Sequence, residues 1–274
     1  MSTSSTLRSL SAVYALSFSV CIGYLVATRA PNSLPSSFLP VFVGALGLML
    51  GVTVFGLSRG QPTWVSLSEA LGVQFVLGSM FTIPHYRLYG WDSMRTYEIT
   101  AAVLREGRPF SQFDSPLSHT FLASFELVLG VDLVPVVKYL PLLMLVVTTG
   151  IVGLMTARRY GPEVGVLAIV TLSTVWWYTE FHTWAVKETP GLLFAVSIVF
   201  LIIEYGRTDD RRFLGLSGIL LIALLMTHHL STAVLLSFLG AVVLAGVVEY
   251  LVGTDRPVFG LDDVRSGGPV FAAS

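Results

Sequence analysis

Apolar residues in this chain fall in long blocks, and polar residues gather between them. Blocks near 10–28, 36–57, 66–83, 133–155, 163–179, 190–205, 213–229 and 231–252 reach or approach 20 residues. A helix of about that length crosses a hydrocarbon core of about 30 Å. The run 117–131 is shorter and carries His119 and Glu126, so it reads as a helix on or partly in the membrane surface. After Asp92, the stretch SMRTYEITAAVLRE has the mixed pattern of an amphipathic helix, with Gly107 to close it and Pro109 just beyond. The pattern predicts an all-α fold. It is a polytopic transmembrane helical bundle of about 8 spans over 1–252, with a long non-cytoplasmic loop, 84–132, that carries the amphipathic helices. The segment 253–274 is polar and contains Gly and Pro, and it reads as a flexible tail.

Composition agrees with the block pattern. Hydrophobic residues make up 54% and charged residues 12%, and the mean hydropathy is +0.76. A soluble domain carries roughly a quarter charged residues. That excludes an ordinary soluble enzyme, a disordered chain and a coiled coil. The net charge of −1 gives no electrostatic case for nucleic acid. A single cysteine, Cys21, excludes an intramolecular disulfide. The N-terminal apolar run is not followed by a good A-x-A site, so it reads as a first span or signal anchor.

Orientation follows from Arg and Lys in the short loops. With the N-terminus cytoplasmic and 117–131 not crossing, ARRYG and GRTDDRR both fall inside. The loop 84–132, the loop 180–189 and the turn at 228–231 then share the outer face. This predicts a multi-pass cell-membrane protein.

The outer face holds the residues that could do chemistry. Asp92 fits an N-cap of the amphipathic helix, and it equally fits a general base at a water–lipid boundary. Arg95 and Thr96 share its helix face, and Arg95 is placed to pair with Asp92 or with a phosphate. Asp114 precedes Pro116 and His119 and fits a turn cap as well as a binding role. In YTEFHTWAVKETPG, His182, Lys187 and Glu188 crowd within a few residues, either as a solvated helix start or as part of a cleft between spans. His228 and His229 sit at a tight turn. Adjacent histidines on a helix diverge and make a poor metal pair, but they can donate hydrogen bonds to a phosphate.

The order GWDSMRTYEITAAVLREGRPF, FDSPLSHTFLASFELVLG, ARRYG and FHTWAVKETPGLLF resembles the GT-C superfamily of integral-membrane glycosyltransferases, which includes the protein O-mannosyltransferases. The likeness covers roughly residues 85–235. It implies an Asp general base in the first outer loop, which falls on Asp92. It also implies a sugar donor on a polyprenyl or dolichyl phosphate, and a hydroxyl acceptor on a glycan or protein. Transfer would be inverting, on the non-cytoplasmic side. Arg95, Asp114, His119, His182, Lys187, Glu188, His228 and His229 become the substrate-binding candidates, and a divalent metal is compatible with phosphate departure. The chain has no second acid beside Asp92, and Trp176–Trp177 is followed by Tyr178 instead of an acid. It also ends after about eight spans where members commonly continue, so it reads as a shortened member. The rival readings are a small transporter or permease and a non-catalytic membrane subunit.

Overall fold

A computed structural model describes residues 3–27, 38–84, 88, 91–107 and 116–252. Among these the regular structure is entirely helical. The helices are α1 (Thr3–Ala27), α2 (Phe38–Ser58), α3 (Thr63–Ser79), α4 (Trp91–Glu106), α5 (Pro116–Leu129), α6 (Leu133–Tyr160), α7 (Pro162–Thr174), α8 (Trp176–Thr183), α9 (Glu188–Thr208), α10 (Arg211–Thr227) and α11 (His229–Val252). Asp114 and the tail 253–274 lie outside the described residues.

Four of these helices, within α1, α2, α6 and α9, are long and apolar enough to cross a membrane, or five spans exist if the bent pair α7–α8 counts as one. The chain is therefore a helical membrane protein. α3 and α10 are 17 residues each, just short of the usual crossing length. α5 has 14 residues, too few to cross. Large apolar side chains cover much of the outside, including Leu216, Ile219, Ile222 and Leu225 along one side of α10. Water does not tolerate such a surface, whereas lipid does.

The run 163–179, read from sequence as one span, is broken at Val175, where α7 and α8 meet at a bend of 72°. The hydroxyl groups around the break explain it. Ser173 donates to the Ile169 carbonyl at 2.7 Å, Thr174 to that of Thr171 at 2.9 Å, and Thr179 to that of Ser173 at 3.0 Å. Ser and Thr side chains that bond the backbone compete with the helical ladder. Val175 is extended, with φ −72° and ψ 96°.

The reversal between α6 and α7 rests on Gly161, whose φ of 102° no side chain adopts easily, and on Pro162, which fits the first turn of a helix. Small residues then let the two helices close on each other. A Cβ on Gly165 would lie 2.7 Å from the Gly153 carbonyl oxygen and 2.5 Å from the Ala157 Cβ. In lipid, such close backbone approach is a main source of helix association.

The buried apolar residues form separate clusters. Cys21, Leu25, Phe42, Met49 and Val73 join α1, α2 and α3. Leu122, Leu133 and Val137 join α5 to α6. Ile198, Leu224 and Leu235 join α9, α10 and α11. At the end of α6 and α9 remote from Glu188, buried Glu204 pairs with Arg158 and is gripped by Arg207 through Nε at 3.1 Å and Nη2 at 2.7 Å.

Candidate functional site

α4 packs on α5 and α6 through Tyr97, Ala101 and Leu104, and a row of small polar residues along it makes hydrogen bonds to the rest of the molecule. Ser93 Oγ accepts the Ala185 N–H at 2.9 Å, and the Thr96 hydroxyl donates to the Ala185 carbonyl. One main-chain unit is thus gripped on both of its polar groups. One turn further on, Thr100 meets His119 Nδ1 at 3.2 Å and joins α4 to α5. These contacts press the start of α4 against the segment between α8 and α9.

A cavity of about 360 Å³ lies where α4, α5, α6, α8 and the start of α9 converge. Asp92, Arg95, His119, Lys187 and Glu188 line it, with an apolar wall that includes Phe121, Met144 and Phe181. The volume falls in the range of small-molecule sites, as does the pairing of an apolar wall with a few convergent charges. Asp92 lies within the first turn of α4, one residue past the helix start, which corrects the N-cap reading. Gly107 closes α4 with φ 63°, as the sequence predicts.

Lys187 stands at the N-terminal boundary of α9, and Glu188 in its first turn. A helix start favours anions, so Glu188 is at home there and a bound phosphate would be as well. Pro141 interrupts the ladder of α6 where that helix forms the cavity floor, since it has no N–H to donate. His119 is buried, and burial pushes its pKa down to about 4, with the positive charges of Lys187 and Arg95 acting in the same direction. It is a neutral imidazole at physiological pH. Arg95, Lys187 and His119 line the same cavity.

His228 sits outside the cavity lining but touches it through Glu188. The Ser231 N–H donates to His228 Nδ1 at 3.3 Å, and the Ser231 hydroxyl lies 2.6 Å from the same nitrogen. That leaves the Nε2 side to face Glu188 Oε1 at 3.4 Å. Gly191 makes the approach possible, because a Cβ there would lie 3.1 Å from both His228 Cβ and Ser231 Oγ.

The remaining candidates fall elsewhere. His182 packs edge-on against Tyr178 and Phe181, and its Nδ1 lies 3.3 Å from the Thr189 hydroxyl, so it ties α8 to α9 behind the cavity. His229 is exposed, its ring 5.9 Å from that of His228. Sequence reasoning did not single out Ser93, Ser118, Pro141 or the Ala185 main chain. The spacing of Ser93, Thr96 and Thr100 along one side of α4 was the available signal. Among the described residues, no group of three or more His, Cys, Asp or Glu side chains is placed to hold a metal ion.

Comparison with protein-family models, curated proteins and solved structures finds no match to this chain.

Proposed function

We propose that this chain is a GT-C-like membrane glycosyltransferase that uses a sugar carried on a polyprenyl or dolichyl phosphate. One observation carries the reading: Asp92, Arg95, His119, Lys187 and Glu188, from three separate stretches of chain, line one cavity. In the reaction proposed, the Asp92 carboxylate takes the proton of an acceptor hydroxyl on a glycan or protein. The hydroxyl oxygen bonds to the anomeric carbon as the bond from that carbon to the phosphate oxygen breaks. The electron pair leaves with the lipid phosphate, and the anomeric configuration inverts. Arg95 and Lys187 stabilise the charge gathering on that phosphate. His119, being neutral, orients by hydrogen bonding. His228 holds Glu188 in place at the cavity edge.

The finer topology belongs to this proposal: about eight spans, the N-terminus cytoplasmic, and the cavity on the outer side. Arg158, Arg159, Arg207, Arg211 and Arg212 support it, because they gather at the α6–α7 and α9–α10 turns, away from the cavity. The test is transfer by purified protein from polyprenyl-phosphate sugars. Asp92→Asn should abolish transfer while the protein stays monodisperse. Retained transfer removes the base assignment, and absence of transfer from every such donor by the unaltered protein sinks the reading.

A transporter is the second reading, favoured by the 72° break between α7 and α8 and by fully buried Gln74, whose Nε2 lies 3.4 Å from the Thr179 hydroxyl just past that break. Broken helices with polar partners mark transport sites in many membrane proteins. Uptake by proteoliposomes without glycosyl transfer would reverse the ranking.

A further inference from the structure

The α1–α2–α3 corner contains a second polar assembly, apart from the cavity and independent of the transferase reading. Glu69 lies in the first half of α3, whereas Gly78, near the other end of that helix, packs against Leu142 and Thr183. Glu69 is 6% exposed. Its Oε1 accepts from Gln61 Nε2 at 2.9 Å. Its Oε2 is buried without a hydrogen-bond partner, and the same holds for Gln61 Oε1 and for Ser66 Oγ one turn earlier on α3. No basic side chain pairs with Glu69 among the described residues. Tyr14 donates to the Glu69 main-chain carbonyl and fixes α1 against the site. Thr53, from α2, faces the same carboxyl.

Buried polar atoms in native proteins are nearly always paired, and a buried charge is paired or holds an ion. Three orphan oxygens, one of them the carboxylate's own, break both rules together. A proton on Glu69 would supply one donor and satisfy one acceptor. A cation would engage all three oxygens. The set contains only oxygen and carries one formal negative charge, which suits a hard monovalent ion better than a transition metal or a divalent cation. Gly56 lets the Gln61 amide close against α2, since a Cβ there would lie 1.7 Å from Gln61 Oε1.

We propose that Glu69, Gln61 and Ser66 form a binding site for a monovalent cation of the sodium class, which locks α1 and α2 onto α3. The test uses the purified full chain in detergent, at constant ionic strength, in sodium chloride or in N-methylglucamine chloride. The melting temperature should be higher in sodium, and radioactive sodium should bind saturably. Glu69→Gln should lose both effects. Ser66→Ala keeps the carboxylate and should weaken sodium binding, so the site stays testable should Glu69→Gln misfold. Equal melting in the two salts with no saturable sodium binding overturns the proposal, as does an undiminished sodium response in Glu69→Gln.

Discussion

Lys187 and Arg95 face a cavity that also holds two carboxylates, and in the proposed reaction they hold the donor phosphate. Replacing either by Met keeps most of the apolar stem and removes the charge. Each change should raise the KM for a lipid-phosphate donor about tenfold, close to the loss of one charge-assisted hydrogen bond, and the pair of changes should cost more. Steady-state kinetics across donor concentrations measures it. His119 makes a different prediction. Folded, it holds its proton only near pH 4, whereas unfolded it takes one near 6.5. The unfolded chain therefore binds more protons between those values, and stability should fall as pH drops from about 6.5 to about 4. Melting curves over that range should be flatter in His119→Gln, and an unchanged slope would remove the buried neutral imidazole from the account. Of the site residues, Asp92, Arg95, His119, Lys187 and Glu188 could be picked from sequence because charge is rare in this chain. His182 and His229 were picked for the same reason and lie outside the cavity. Rarity marks a residue as unusual, but contact decides what it does.

At the scale of elements, the apolar blocks located the helices well. α2, α6 and α9 lie close to the blocks that foretold them. The break at Val175 was hidden because apolar content is insensitive to what hydroxyl groups do to a helix. Thr179 and Ser173 kink the backbone without lowering its hydropathy much. The same blindness covers the two hydrogen bonds that dock the start of α4 onto the main chain of Ala185. Thr96→Val removes one of them and Ser93→Ala the other. Together they should release the start of α4 and lower transfer through Asp92 with little change in overall melting, and hydrogen exchange at Ala185 should accelerate. The α6–α7 contact predicts the opposite balance. Gly165→Leu would force a side chain where 2.7 Å separates a Cβ from a carbonyl oxygen. The cost should be about 1–3 kcal/mol, read as a lower melting temperature in detergent.

Across the whole molecule, the charged groups sort to two ends of a largely apolar body. One end carries the cavity, and the other carries Arg158, Glu204 and Arg207. Both arginines are partly exposed, so this cluster contributes less to stability than its hydrogen bonds would indicate. The topology makes a direct prediction. In a background with Cys21 replaced by Ala, single cysteines at exposed Met94 and at exposed Arg211 should react with a membrane-impermeant thiol reagent from opposite sides of the bilayer. Labelling from the same side would dismantle the proposed outer face. The grip on Glu204 has a mechanical corollary. It pins α9 to α6 near one extremity, and α9 extends about 24 Å from that anchor to Glu188. The other end is held too, Glu188 by His228 and Thr189 by His182, so α9 is fixed at both ends and forms a rigid rim to the cavity.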